Sequence, residues 1–143
     1  MARWFVSGKW QGEYAYDPSF QLPAVPFQMS IESRFGFIFG KVQDDPYKGM
    51  PDVGTIRGWT YKDGRIAFTK RMPRETWARF NRSTGNPDFH VTSRRHPPIR
   101  YYGKWDREKG MLSGTWTLVA PGFRNTGTWT AQPVDSERKS TIA

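Results

Sequence analysis

Gly8-Lys9-Trp10, Gly103-Lys104-Trp105, Gly114-Thr115-Trp116 and Gly127-Thr128-Trp129 spell Gly-x-Trp four times along one chain. A fifth tryptophan follows its glycine directly, at Gly58-Trp59. Each sits in a short run of alternating bulky and polar residues, the pattern of a half-buried strand. A glycine inside a strand lets the backbone bend or a large ring lie across it. Repeated around a sheet, such positions turn the corners of a small barrel and fill its centre.

Working outward, further strand signals appear with turns between them. Lys9 to Tyr16 places Trp10, Gly12, Tyr14 and Tyr16 on one face. Runs follow at Phe27 to Glu32 and Phe37 to Val42, then a Pro- and Asp-containing loop from Gln43 to Gly54. Thr55 to Lys62 and Arg65 to Lys70 flank Asp63-Gly64, which predicts a hairpin with a two-residue primed turn. Ile99 to Asp106 and Met111 to Leu118 form a second hairpin, and Thr126 to Ala131 supplies the eighth strand. Eight successive antiparallel strands prefer to close, because closure removes exposed edges. The expectation is therefore all-β: an eight-stranded antiparallel up-and-down barrel, with a β-sandwich as its structural rival. Residues 1–131 form the single barrel domain, and 132–143 a polar tail expected to be disordered.

Pro73 to Pro98 interrupts the meander between the fifth and sixth strands. The segment is too long for a structureless loop in a compact domain. Two turns of helix over Arg74 to Phe80, or a short strand over Asp88 to Ser93, would make it a flap over one barrel end. The same region carries the charge. From Arg65 to Arg100 nine basic side chains face only Glu75 and Asp88, which leaves +7 of the net charge of +9 in a quarter of the chain. Such a field attracts phosphates, nucleic acid, acidic proteins or carboxylate ligands, unless it serves solubility alone. Lys70, Arg71, Arg74, Arg94 and Arg95 are the expected anion-binding surface. Trp77, Phe80, Phe89, Tyr101 and Tyr102 lie among the basic residues as stacking partners.

An early Gly-x-Trp opening an eight-strand meander resembles the calycins: lipocalins, fatty-acid-binding proteins and avidins. Gly8-Lys9-Trp10 fits the family's first-strand motif, and Gly114-Thr115-Trp116-Thr117-Leu118 with Gly127-Thr128-Trp129 looks most like the last two avidin strands. The lipocalin Thr-Asp-Tyr motif and a C-terminal helix are missing, and no avidin ligand-binding residue can be matched. The resemblance implies a barrel, a tryptophan plug at one end, and a ligand cavity.

Chemical motifs are sparse. The chain has no cysteine, a mean hydropathy of -0.75 and 16% aromatic residues, which together fit a folded, cytoplasmic protein with no membrane span. Asn81-Arg82-Ser83 is a chance glycosylation triplet on this reading. His90 and His96 lack zinc spacing, no phosphate loop is present, and no cofactor or metal is implied. Asp44, Asp45 and Asp52 share a loop without the EF-hand pattern and read as a solvated turn region. An enzyme remains an open class with no defensible acid or base. The aromatic faces say more. Tyr14, Tyr16, Tyr101 and Trp116, together with Arg57, Trp59 and Tyr61, are the candidate lumen residues, with Arg57 as charged anchor; the alternative is a packed barrel whose tyrosines bond each other and water. Two functions follow: a non-catalytic module holding a small, partly aromatic or anionic ligand, or a partner of nucleic acid or an acidic protein through residues 65–100. Oligomeric state is left open.

Overall fold

A computed structural model describes residues 4–45 and 49–134, with only the backbone of 77–80, 86, 87 and 89. Among the described residues ten strands form: β1 (Gly8–Tyr16), β2 (Val25–Arg34), β3 (Phe37–Asp44), β4 (Val53–Thr60), β5 (Arg65–Arg71), β6 (Thr76–Asn81), β7 (Asn86–Val91), β8 (Ile99–Asp106), β9 (Met111–Ala120) and β10 (Phe123–Pro133). Eight of them close into one antiparallel barrel in the order β1-β10-β9-β8-β5-β4-β3-β2. This is the expected up-and-down meander. β6 and β7 pair only with each other and make the flap between the fifth and sixth barrel strands. The flap contains no helix: Thr76 to Asn81 is a strand, because its partner across the turn satisfies backbone groups that an isolated two-turn helix would leave open. The last barrel strand continues through Gln132 and Pro133, opposite Gln11 and Trp10. The rest of the expected tail, residues 135–143, lies outside the described residues. No helix among the described residues is long and apolar enough to cross a membrane.

The two Gly-Thr-Trp motifs interlock. β9 and β10 run antiparallel with Trp116 opposite Gly127, Thr115 opposite Thr128, and Gly114 opposite Trp129. Each indole leans across the glycine of the neighbouring strand and donates to main chain one strand further on. Trp116 Nε1 reaches the Ala15 carbonyl at 3.0 Å, and Trp129 Nε1 reaches that of Tyr102 at 3.0 Å. A Cβ on Gly127 would collide with the Ala15 carbonyl and the Trp116 ring, and one on Gly103 would meet the Trp129 ring. Two rings are thus buried with their N–H groups satisfied.

One end of the barrel is closed by aromatics. Phe5 stacks on Trp10 at 5.1 Å, Trp4 stacks on Trp105 at 5.7 Å, and Trp10 meets Trp105 edge-on at 6.0 Å. Trp10 Nε1 donates to the Val6 carbonyl at 2.8 Å. The plug that the Gly8-Lys9-Trp10 motif implies is present. The β4–β5 turn differs in detail from expectation. Gly64 has φ +95°, but Asp63 does not adopt positive φ, and Gly64 N–H donates to the Tyr61 carbonyl. The loop is longer than a two-residue primed turn, with a left-handed glycine as its last residue.

The interlock has a direct test by chemical denaturation. Trp129→Ala should cost about 3–5 kcal/mol, the range for a buried aromatic. Gly127→Val should cost about 1–3 kcal/mol or more through overpacking against backbone. Thr128→Val, on the exposed face between them, should stay within about 0.5 kcal/mol of wild type.

Candidate functional site

Period-two alternation carries three polar side chains into the barrel at the end opposite the plug. Asp44 continues the inward face of Ile38 and Val42, Lys70 that of Ile66 and Phe68, and Tyr14 that of Trp10. They meet. Lys70 Nζ lies 2.8 Å from Asp44 Oδ1, and Tyr14 donates its hydroxyl to Asp44 Oδ2 at 2.8 Å. The Met50 N–H adds a third bond to Oδ2 at 3.1 Å. Lys70 Nζ also sits over the Tyr14 ring, 4.8 Å from its centroid. The two charged side chains are 2% and 0% exposed, so the pair survives only because each partner neutralises the other and hydrogen bonds fill the carboxylate's remaining positions.

Beside this group lies a cavity of about 160 Å³. Its wall includes Tyr14, Tyr16, Tyr101, Trp116, Leu118 and Asn125. Phe20 and Leu22, from the β1–β2 loop, line its more exposed side, and the buried Thr76 and His96, from the base of the flap, complete the lining. Edge-on contacts at 5.7 Å between Tyr14 and Tyr16 and at 5.6 Å between Tyr16 and Trp116 fix the ring orientations. Burial pushes the Tyr14 and Tyr101 phenols well above the usual range, Tyr14 further through the Asp44 carboxylate. Burial pushes Tyr16 up to about 12, with its hydrogen bond to Tyr14 opposing. His96 moves the other way: burial lowers it and the Lys70 cation adds to this, against hydrogen bonds to the Pro97 and Thr76 backbone and the nearby Glu75. A carbonyl only accepts, so His96 Nδ1 donates to Pro97 O at 2.7 Å. The cup is lined by neutral groups.

Four of the seven expected lumen residues, Tyr14, Tyr16, Tyr101 and Trp116, therefore converge on one cavity. The other three do not. Arg57, Trp59 and Tyr61 face outward, with Trp59 52% exposed and Tyr61 43%. The inward face of β4 is Ile56, Gly58 and Thr60 instead. Aromatic area on β4 loses because β5 already supplies it. A Cβ on Gly58 would strike Phe68, whose ring stacks on Tyr101 at 4.8 Å and meets Trp129 at 5.4 Å. The outward choice also avoids burying a guanidinium without a partner.

The expected anion-binding surface is corrected in the same way. Lys70 is buried in the ion pair. Arg74 grips Asp52 through Nε at 2.8 Å and a terminal nitrogen at 2.6 Å, a hydrogen-bonded pairing that lowers the Asp52 carboxyl. Arg71, Arg94 and Arg95 are exposed, as expected. Trp77, Phe80 and Phe89 have side chains outside the described residues. The three aspartates of the 43–54 loop do not gather: Asp44 is interior and Asp52 is held by Arg74, and among the described residues no three acids, histidines or cysteines could hold a metal. A larger concavity, about 620 Å³, is a trough on the outer wall over Gln11, Gln28, Gln43 and Gln132. Its lining mixes these exposed amides with Glu13 and Asp45, rather than the convergent buried groups of a small-molecule site.

The buried triad eluded the sequence reading because Asp44 sits at the edge of a polar loop and Lys70 in a basic run. The available signal was the unbroken alternation Ile66-x-Phe68-x-Lys70 and Ile38-x-Gly40-x-Val42-x-Asp44. In comparisons with known proteins, no family model, no curated protein and no solved structure matches the chain.

Two measurements check this geometry. Lys70→Met alone or Asp44→Asn alone should destabilise by about 3–5 kcal/mol, since each leaves a buried group without its counterpart, and the double variant should recover much of the loss. His96 has a folded-state value below its unfolded one, so its stabilising contribution is present above about pH 6.5 and is lost as pH falls. Melting temperature should drop between about pH 7.5 and pH 5, and His96→Gln should flatten that part of the drop.

Proposed function

We propose that the chain is a cytoplasmic, non-catalytic binding module of calycin type, holding one small, uncharged, partly aromatic molecule in the cup. The observation that carries this reading is the convergence of Tyr14, Tyr16, Tyr101 and Trp116 on a cavity of about 160 Å³. That space suits a molecule of about one aromatic ring, since an apolar cavity of about 150 Å³ binds benzene. Indole and phenol walls supply ring contacts, and Asn125 and the hydroxyls supply orientation. An anionic ligand is disfavoured here. Arg57 is outside, and Lys70 is already matched by Asp44. A phenolic acid or base near neutrality is also disfavoured, because burial pushes the tyrosines up. The plug, the closed eight-strand meander and a cup at the opposite end support the calycin comparison as an architectural one.

The test is a screen of small neutral aromatics, phenols and indoles among them, by thermal shift and tryptophan fluorescence. A binder should raise the melting temperature with concentration and alter emission through Trp116. Leu22→Trp, at the half-buried mouth, should abolish the shift while leaving unliganded stability unchanged. A screen in which anions, but no neutral aromatics, stabilise the protein would overturn the reading.

A further inference from the structure

The outer wall of β3, β4, β5 and β8 presents rings and cations in ordered rows. Strand register aligns Phe37, Trp59, Ala67 and Tyr102 across four neighbouring strands. The next outward row is Phe39, Arg57, Thr69 and Arg100. Beyond it come Lys41, Thr55 and Arg71, and on the opposite side Arg65 stands against Lys104. Trp59 is 52% and Tyr102 51% exposed. Two strand spacings separate them, about 10 Å, and the small Ala67 forms the floor between. Trp59 is braced by Phe37 at 5.1 Å, edge-on, and Phe37 stacks on Phe39 at 5.7 Å. The result is a shallow groove of about 310 Å³ lined by Phe37, Arg57, Trp59, Thr69, Arg100 and Tyr102.

Charge identifies the occupant. Lys41, Arg57, Arg71, Arg100 and Lys104 are exposed, and none belongs to an ion pair among the described residues. The acids nearest the wall are peripheral: Asp63 is held by Arg65 at 2.7 Å, Asp106 at the end of β8 accepts from the Glu108 and Lys109 N–H groups, and Glu32 lies on β2 opposite Phe39. A shallow groove with two exposed rings, flanked by cations outside any ion pair among the described residues, matches a polyanion that carries planar groups. We propose that this wall binds single-stranded nucleic acid, with bases stacked on Trp59 and Tyr102 and phosphates on Arg57 and Arg100. Each component has a general basis: base–aromatic stacking is sequence-tolerant because every base has a π-face, and a basic groove tracks the backbone. A duplex hides its base faces and fits only the cations. The site is on the opposite side of the sheet from the cup and does not depend on it.

Fluorescence anisotropy with labelled, mixed-sequence single-stranded RNA and DNA of about 12 nucleotides tests this. Binding at low salt should weaken steeply as salt rises. Trp59→Ala and Tyr102→Ala should each weaken it about fivefold or more, while Trp59→Phe keeps most of the affinity. Arg57→Gln with Arg100→Gln should reduce the salt slope by about 1.4, at about 0.7 per phosphate contact. All these side chains are on the surface, so melting temperatures should match wild type, and Leu22→Trp should bind the oligonucleotide normally. RNA preferred over DNA, or the reverse, supports the proposal either way. No binding at low salt overturns it, as does affinity unchanged by both aromatic variants or equal affinity for a duplex. Loss of heparin or poly-glutamate binding to the same extent in the aromatic variants would assign the face to a polysaccharide or an acidic protein. Self-association abolished by Trp59→Ala would assign it to a second copy. Either result contradicts the proposal.

Discussion

Two tryptophans crossing two glycines set the geometry on which the rest of this barrel depends. Trp116 passes over Gly127 to bond the first strand, and Trp129 passes over Gly114 to lie on Gly103 and bond the eighth. The rings can lie that low only because no Cβ stands in the way. They therefore fill the lumen sideways and tie strands that are not neighbours. Trp129 completes the packed middle with Phe68 and Tyr101. Trp116 stands nearer the flap end, where its buried ring forms a cavity wall. Together with the Trp10 plug, this leaves an interior that is solid at one end and cupped at the other.

The Asp44–Lys70 pair decides the chemical character of the cup. A lone lysine there would make the cavity an anion site; a lone aspartate would make it a cation site. Paired at 2.8 Å, with Tyr14 and the Met50 N–H completing the carboxylate's contacts, the two charges cancel. Replacing such a pair by apolar residues is often neutral or stabilising, whereas removing one partner is costly. The pair joins the third and fifth strands through side chains, and Tyr14 links in the first. The molecule's net charge of +9 is thus expressed outside, on the walls and the flap.

Much of this was legible in the sequence, and the failures share a cause. The eight barrel strands, the meander and the facing of four cup residues followed from alternation, because each strand's face is set by its own residues when those residues are strongly unequal; the Trp10 plug came from the calycin resemblance. β4 was misread because its two faces, Arg57-Trp59-Tyr61 and Ile56-Gly58-Thr60, were weighed by their own area alone. Phe68 of β5, lying over Gly58, reversed that choice. Lys70 and Arg74 were read as one surface, although one points into the barrel and the other holds Asp52. Pairing between distant segments cannot be recovered from local composition; in the flap, the alternative of a strand over Asp88 to Ser93 matches β7, whereas the helix over Arg74 to Phe80 is the strand β6. The outward turn of β4 also leaves Trp59 in line with Tyr102, and so makes the outer wall aromatic.

The central claim is that the barrel ends in a neutral, aromatic-walled cup open to one small molecule. A crystal structure of the protein soaked with phenol tests it most directly. The account predicts a single ring bound between Tyr16 and Trp116, its hydroxyl within hydrogen-bond distance of the Asn125 amide or a tyrosine hydroxyl, and the Asp44–Lys70 pair undisturbed. A cup closed by its own side chains, with phenol bound elsewhere or not at all, would contradict it.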